Sequence, residues 1–374
     1  MTEAEIIKTL LDFIASDCAG DEEFNALALK IFDYQFQNNL PYQLFCRQRE
    51  QTPRTTKNWR DIPAVPINGY KDLCLSCCDP KSVERTFMTS GTTKDGLRGQ
   101  CRHPTLSVYD ASMVAAFRQY FMEEHERLRM GILFPTEQAM PNSSLAHYLA
   151  LALKEFGSEG SRYLLSNDGI DWKELFTELE QVEQSGEPYA LLGASFSFVH
   201  VMDEMARVGK SVSLPEGSRI LDTGGFKGQS RELELDNFYE SLSSRFGVLR
   251  EDCINMYGMT ELSTQFYDSG NASCPSAKSG PNWVRSRIVN PLTGAEIQKG
   301  ERGVLAHHDL AHFNCVSSIL TEDAGVEVDD GFILLGRAEG VEAKGCSMAV
   351  DEFLKVAKGE ACDTNCGISS GSKS

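Results

Sequence analysis

Arg85-Thr-Phe-Met-Thr-Ser-Gly-Thr-Thr-Lys-Asp-Gly96 is a hydroxyl-rich run that follows a short apolar stretch and is interrupted by glycine. Gly91 permits backbone conformations that other residues avoid, so a ligand can approach the main chain closely. Successive backbone N–H groups in such a turn form a concave site for anions. Lys94 or Arg98 adds positive charge. The run therefore favours a polyphosphate ligand, although a turn of this composition is more often only a turn. Its spacing is neither that of the kinase-type P-loop nor that of the dinucleotide fingerprint.

Two downstream segments strengthen the polyphosphate interpretation. Asn255-Met-Tyr-Gly-Met-Thr-Glu261 is typical of an apolar strand end with a glycine break and a polar tip. Thr321-Glu-Asp323 precedes Asp330-Gly-Phe-Ile-Leu-Leu-Gly-Arg337. In this order the three segments resemble the signature motifs of the adenylate-forming superfamily, which contains acyl-CoA synthetases, luciferases and peptide-synthetase adenylation domains. The resemblance implies that ATP, with Mg²⁺, activates a carboxylic acid.

The resemblance also implies a role for each matching residue. The ATP-binding residues would be Thr89, Ser90, Gly91, Thr92, Thr93, Gly224, Gly225, Tyr257, Gly258 and Asp323. Thr89 to Thr93 would hold the β- and γ-phosphates, Tyr257 would pack against adenine, and Asp323 would bind the ribose. Thr260 would bond the α-phosphate, and Glu261 would hold Mg²⁺, a cation that takes oxygen ligands. Arg337 would reach the ribose or phosphate. Taken singly, Glu261 could be a solvated loop carboxylate and Tyr257 a core aromatic.

Two further residues are candidates for contact with the substrate acid. His147, just after Pro141-Asn-Ser-Ser-Leu145, matches a position where the superfamily often closes the carboxylate site. The alternative is a packed helix histidine. Gly193 lies in an apolar run that resembles the wall of a substrate pocket. Phe198 nearby could line such a pocket, but the expectation is that it belongs to the hydrophobic core.

The amino-terminal third carries a closer resemblance. Tyr34-Gln35, Asn39-Leu-Pro-Tyr42, Trp59-Arg-Asp-Ile-Pro63 and Val65-Pro-Ile67 are similar to the opening of the bacterial acyl-protein synthetases, which activate fatty acids for the luminescence fatty acid reductase. The resemblance covers about residues 20 to 355. It implies a fatty acid substrate and an acyl-accepting partner protein, such as an acyl reductase. The phenylacetate-CoA ligase branch is a near neighbour.

The carboxyl-terminal segment departs from the superfamily pattern. Most members carry a mobile domain with a catalytic lysine after the hinge, whereas this sequence has 37 residues after Arg337. That domain is therefore expected to be truncated or replaced. Acyl-protein synthetases instead use a cysteine near the terminus, which implies a catalytic role for Cys362 or Cys366. A thiolate there would take the acyl group as a thioester. Two inert cysteines remain the alternative.

Composition narrows the function classes. Lys+Arg 36 against Asp+Glu 54 gives a net charge of −18, which argues against a nucleic-acid partner and an anionic membrane surface. No apolar run reaches the roughly 20 residues of a membrane span, so no integral membrane contact is expected and a cytoplasmic location is predicted. The 12 cysteines are then expected to be mostly reduced thiols.

His307, His308 and His312 suggest zinc, but they lack the Cys/His spacing of a structural site. Cys74, Cys77 and Cys78 contain a C-x-x-C motif, but no second cysteine pair accompanies it, which argues against a zinc site there.

Periodicity predicts alternating helices and strands, hence an α/β fold with substantial parallel sheet. Opening helices are expected at 3–16 and 22–37, a long helix at 106–128, and distal strands at 283–290, 303–308 and 315–320. The predicted organisation is an adenylate-forming, acyl-CoA synthetase-like domain over 1–336, with a β-rich part near 283–336. A short hinge and tail fill 337–374.

The sequence leaves three functional hypotheses. The first is activation of a fatty acid to acyl-AMP, with transfer to a protein cysteine and on to a partner. The second ends instead in acyl or aryl transfer to CoA. The third is a catalytically weak nucleotide- or acyl-binding protein.

Overall fold

The computed structural model describes residues 1–16, 20–89, 98–166, 169–226 and 229–357. The helices are α1 Glu3–Ile14, α2 Asp21–Asn38, α3 Leu40–Gln48, α4 Gly69–Asp72, α5 Ser107–Phe117, α6 Ser144–Phe156, α7 Trp172–Ser185, α8 Ser195–Arg207, α9 Leu235–Phe246 and α10 Gly340–Ala357. The strands are β1 Val65–Pro66, β2 Arg85–Met88, β3 Gln100–His103, β4 Arg129–Leu133, β5 Arg162–Tyr163, β6 Leu165–Ser166, β7 Gly169–Ile170, β8 Tyr189–Ala194, β9 Arg219–Thr223, β10 Cys253–Tyr257, β11 Phe266–Tyr267, β12 Ala277–Lys278, β13 Val284–Val289, β14 Arg302–Asp309, β15 Ser318–Val328 and β16 Gly331–Arg337.

Two sheets of six strands organise the chain. The central sheet has the order β11-β10-β9-β8-β4-β5 and is parallel except for β11. The distal sheet has the antiparallel order β12-β16-β15-β14-β13, and β1 adds to β15 in parallel. The hairpin β2–β3 carries the hydroxyl-rich run between its strands. The predicted α/β architecture with a distal β-rich part is confirmed.

Strand β8 shows why the central sheet is covered on both faces. All six of its residues are buried, as expected for a parallel strand between two helical layers. Successive side chains point to opposite faces, so Leu191 packs in the same cluster as Phe198 of α8. Leu192 packs in the other cluster with Leu149 of α6. The apolar run of β8 therefore forms an interior strand. Polar residues that could contact a ligand lie beyond the ends of the strand.

Two segments differ from the sequence expectation. The helix expected at 106–128 ends as α5 at Phe117 and continues as a π-helical turn over 118–122, because Glu123 takes a positive φ of 49° that stops the helix. The strand expected at 315–320 lies later, as β15, because pairing with β14 and β16 extends it to Val328. Asp323 therefore lies inside a strand and not after one.

Helix α10 was not predicted, and it packs back onto the amino-terminal helices. Phe353 is fully buried, and its ring lies 4.8 Å from that of Phe45, edge to face. A side chain at Gly69 would put a Cβ 2.5 Å from the Phe353 ring, so α4 can approach α10 this closely only with glycine. Arg49 pairs with Glu352 at 3.1 Å. These contacts fix the residues after the expected hinge, up to Ala357, against the main body.

Across the described ranges, we find no helix that combines the length and apolarity needed to cross a bilayer.

Candidate active site

The carboxyl ends of three parallel strands meet at one edge of the central sheet. Gly193 on β8 is paired in register with Asp222 on β9, and Thr223 is paired with Met256 on β10. Gly224, which has φ +76°, turns the chain immediately after β9. Ligands of open α/β sheets bind in the crevice beyond such strand ends. The structure therefore brings the predicted Gly193 and Gly224 to the same edge as Tyr257.

A buried carboxylate that the sequence analysis did not single out orders this edge. Asp222 accepts hydrogen bonds from Ser195 Oγ at 2.6 Å, Tyr239 Oη at 2.9 Å and Asn255 Nδ2 at 2.9 Å. Burial raises its pKa to about 6. Ser195 also donates to the carbonyl oxygens of Thr223 and Gly224. Because these three donors come from three separate segments, α8, α9 and β10, Asp222 fixes the glycine turn relative to the strand ends.

Tyr257 connects the central sheet to the distal sheet. Its hydroxyl donates to Asp323 Oδ2 at 2.8 Å, and Arg337 Nε lies 3.5 Å from the other oxygen of that carboxylate. Asp323 and Arg337 face each other across β15 and β16. The Tyr257 ring is largely enclosed, with Phe266 and Phe332 against it. Three predicted residues from two of the motifs thus form one contact chain, while the packing of Tyr257 against adenine stays a prediction.

Glu261 lies beside the start of the hydroxyl-rich run. Its side chain is 4% exposed. The Gly99 N–H donates to Thr89 Oγ1 at 3.0 Å, and a Cβ at Gly99 would lie 3.2 Å from Glu261 Oε1. Thr89 and Glu261 therefore both pack against a glycine whose lack of a side chain permits this close approach. Thr260, in the turn just before Glu261, is partly exposed.

The charge of Glu261 is poorly compensated. Burial raises its pKa to about 7, although His312, Lys71 and Arg337 oppose that rise. Within the described ranges no lysine, arginine or histidine comes within 4 Å of its carboxylate, the limit for an ion pair. An oxygen ligand in this state suits a hard cation, which supports the fit of Glu261 to Mg²⁺.

Asp309 holds the segment that follows Glu261. This fully buried carboxylate accepts hydrogen bonds from the backbone N–H groups of Ser263, Thr264 and Ala311 at 2.8, 2.9 and 3.0 Å. It also accepts one from Thr264 Oγ1 at 2.7 Å. Four donors on one carboxylate satisfy a buried charge. Asp309 therefore connects β14 to the turn that carries Glu261.

A cationic cavity of about 380 Å³ opens beside the same hairpin, with Lys71, Arg98 and Arg102 in its lining. Met88, which belongs to the hydroxyl-rich run, also lines this cavity, and Arg98 follows the run in sequence. Lys71 was missed because no local motif marks it; only the fold brings α4 near Glu261. Ser90, Gly91, Thr92 and Thr93 lie outside the described residues, as do Cys362 and Cys366.

His147 is fully engaged by two carboxylates. Its Nδ1 lies 2.8 Å from Glu137 Oε1 and its Nε2 lies 2.8 Å from Asp110 Oδ1. Burial lowers its pKa, but the two carboxylates outweigh burial and raise it. Arg85 pairs with Glu137 at 2.7 Å. Both ring nitrogens of His147 already have partners, so it could contact the substrate only with the face of its ring or act on it through its charge. Its role toward the substrate stays a prediction.

The three histidines near β14 do not converge. His307 Nδ1 bonds Ser286 Oγ at 2.8 Å, and His308 Nε2 lies 3.5 Å from Ser317 Oγ. Burial lowers the pKa of both rings to about 3. His312 instead faces Ser263. Adjacent strand residues point to opposite faces, so the run of histidines does not form a single cluster.

The fold is that of the adenylate-forming ligases. It matches a structure of 2-hydroxyisobutyryl-CoA ligase in complex with 2-HIB-AMP and CoA with a TM-score of 0.60 and 11% identity, over 91% of this chain and 69% of that one. ATP-bound MatB from Rhodopseudomonas palustris matches with a TM-score of 0.49 and 14% identity, over 70% of this chain. The chain spans about half of that protein's length, 49%.

Within this class, the chain belongs to the acyl-protein synthetase family LuxE, whose profile matches residues 8–355. A long-chain-fatty-acid–luciferin-component ligase from Vibrio harveyi is 22% identical over 331 residues, which cover 86% of this chain and 85% of the relative. The family resemblance inferred from the sequence is thereby confirmed. The protein is a ligase of the acyl-protein synthetase family.

Proposed function

We propose that this protein uses ATP to activate a fatty acid as acyl-AMP and then transfers the acyl group to one of its own cysteines and on to a partner protein. The observation that carries the proposal is the contact chain of Tyr257, Asp323 and Arg337 at the strand ends. Two segments that are distant in sequence, 255–261 and 321–337, meet there, as the ATP-binding role implied by the family requires. The relative's name, a long-chain-fatty-acid ligase, supports a fatty acid as the substrate class.

In the first step a carboxylate oxygen attacks the α-phosphorus and pyrophosphate leaves. Catalysis of such a step is mostly positioning and charge stabilisation. Thr89 to Thr93 and the cationic cavity with Lys71, Arg98 and Arg102 would hold the departing phosphates. Thr260 would bond the α-phosphate. Mg²⁺, held by Glu261, would neutralise phosphate charge.

Asp323 would accept hydrogen bonds from the ribose hydroxyls. Tyr257 keeps that carboxylate in place through its hydroxyl, and Arg337 balances its charge from the neighbouring strand. The glycine turn of Gly224 and Gly225, which Ser195 ties to Asp222, would let the nucleotide approach its main chain, since no side chain blocks it. Gly193 would give the acid room at the adjacent strand end.

In the second step a cysteine thiolate attacks the acyl carbonyl carbon and AMP leaves. Cys362 and Cys366 are the proposed nucleophiles. Cys366 lies nine positions after Ala357, the last residue of α10, and a fully extended chain of nine steps spans at most about 30 Å. Lys71 would supply, near Glu261, positive charge of the kind that a carboxyl-terminal lysine gives other superfamily members. The acyl group would then pass to a thiol of the partner.

Carboxylate-dependent ATP–pyrophosphate exchange across a panel of fatty and aryl acids tests the first step. We expect exchange with fatty acids, lost in Glu261→Gln and kept in Glu216→Gln, an exposed control. Absence of exchange with every acid would refute adenylation and favour a binding protein.

Trapping of radiolabelled acyl groups on the protein tests the second step. We expect a hydroxylamine-sensitive thioester without CoA, lost in Cys366→Ser or Cys362→Ser. Exchange with no protein thioester but with acyl-CoA formation would favour the CoA-ligase alternative.

A further inference from the structure

Three buried side chains with metal-ligating atoms converge near Glu261. Cys101 lies on β3, and His312 and Cys315 lie between β14 and β15. One ligand atom from each lies within 4.8 Å of the other two. Their exposures are 0%, 0% and 1%. The two elements are separated by more than 200 residues of sequence, so only the tertiary fold assembles this group, which we call the Cys-His-Cys cluster.

The histidine is held in the orientation that a metal ligand needs. His312 Nδ1 lies 3.0 Å from Ser263 Oγ, and the Ser263 N–H is held in turn by Asp309. Metal-ligating histidines usually have such a partner on the ring nitrogen away from the metal, which fixes the tautomer. In the described part of the chain, no oxygen or nitrogen forms a hydrogen bond with Nε2, and the Cys315 thiol is the polar group beside the ring. A buried imidazole nitrogen with only a weak thiol partner costs free energy, and a metal ion bound by both groups would remove that cost.

The chemistry of the cluster selects a thiophilic cation. Two cysteine sulfurs and one imidazole nitrogen form a set that binds Zn²⁺ with an open fourth position, whereas Mg²⁺ and Ca²⁺ prefer oxygen. Two thiolates would balance the charge of Zn²⁺ in a site without solvent. Both cysteines are free thiols, and a disulfide between them would leave His312 Nε2 unpartnered.

We propose that Cys101, His312 and Cys315 bind one Zn²⁺ ion. The ion would join β3, the return strand of the hairpin after the hydroxyl-rich run, to the segment that leads into β15 and Asp323. It would therefore fix the two parts of the candidate site relative to each other from behind. The proposal is independent of the acyl chemistry, since neither adenylation nor thioester formation passes through it.

Metal analysis of the full-length reduced protein tests the proposal. Zinc is measured by elemental analysis after dialysis, in a Cys362→Ser/Cys366→Ser parent so that the tail thiols do not compete. Cobalt replacement then reports thiolate ligation through a sulfur-to-metal absorption band. Cys101→Ser and Cys315→Ser are the test variants. Cys346→Ser is the matched control, since Cys346 is buried and its Sγ contacts Thr321 O at 3.8 Å, outside the cluster.

We expect about one zinc per chain in the parent and in Cys346→Ser, as for a protein zinc site, and loss of most of it in either test variant. The cobalt form of the parent should show the thiolate band, a readout that does not depend on any cluster variant folding. A parent with no zinc and no band, or a zinc content that persists in both test variants, would overturn the proposal.

Discussion

Replacing Glu261 by glutamine should stabilise the ligand-free protein at alkaline pH while it abolishes ATP–pyrophosphate exchange. Burial raises the pKa of Glu261 from 4.5 to about 7, so the folded protein binds this proton more tightly than the unfolded chain. Stability is therefore lost as the pH rises from about 4.5 to about 7 and stays at its lower value above that. Glutamine has the same shape and no charge, so it escapes this loss.

The size of the effect follows from the pKa shift. Each pKa unit corresponds to about 1.4 kcal/mol, so the shift from 4.5 to about 7 amounts to about 3 kcal/mol. That is a large part of the 5–15 kcal/mol that typically separates folded from unfolded states. Such a trade of stability for function is common where a charge is buried for chemistry.

Urea unfolding of the wild-type protein and Glu261→Gln at pH 5 and pH 8, with EDTA and without nucleotide, measures this difference. The two proteins should be nearly equal in stability at pH 5, and the variant should be about 3 kcal/mol more stable at pH 8. Glu216→Gln, at an exposed position, should show no such change. A Glu261→Gln advantage that is the same at both pH values would refute the reasoning, because it would not arise from ionisation.

Four other outcomes are expected. Exchange activity at limiting Mg²⁺ should fall as the pH drops below about 7, because protons compete with Mg²⁺ for the Glu261 carboxylate, whose pKa burial raises to about 7 in the ligand-free protein; a flat profile would contradict this. Asp323→Asn should raise the KM for ATP about 10- to 100-fold through the loss of charged hydrogen bonds, measured by exchange kinetics, with circular dichroism showing that the fold is kept. Asp309→Ala leaves its buried donors unpaired and should cost about 3 kcal/mol or more in urea unfolding; a near-neutral variant would mean that water replaces the carboxylate. Phe353→Ala should cost about 3–5 kcal/mol by opening a cavity under α10, whereas the exposed Val341→Ala should not change urea stability.

The sequence predicted much of the candidate site because the motifs are local. The order of the hydroxyl-rich run, the Tyr257–Glu261 segment and the Asp323–Arg337 segments was enough to indicate the family, which the family profile confirms. The strand end predicted in residues 255–261 is confirmed, since β10 ends at Tyr257, just before the glycine. Roles assigned to single residues stay predictions.

Packing between distant elements limited the rest. Helix α10 has a mixed surface and glycines at Gly340 and Gly345, so its sequence alone resembled a tail. Its burial depends on Phe45 and Gly69, nearly 300 residues away. The sequence offered His147 as a substrate-site residue or a packed helix histidine, and its two carboxylate partners, Glu137 and Asp110, lie outside its own helix.

By itself, the sequence determined the family, the α/β class and the motifs that meet at the strand ends, because each is set by short-range pattern and composition. Only the tertiary structure decided which charges are buried and what faces them. The tertiary structure places Lys71 near Glu261 and directs four hydrogen bonds to Asp309. It also brings Cys101 close to His312 and Cys315. The raised pKa of Glu261 follows from desolvation, and the Cys-His-Cys cluster follows from the proximity of its three side chains. Both depend on residues that are far apart in the chain.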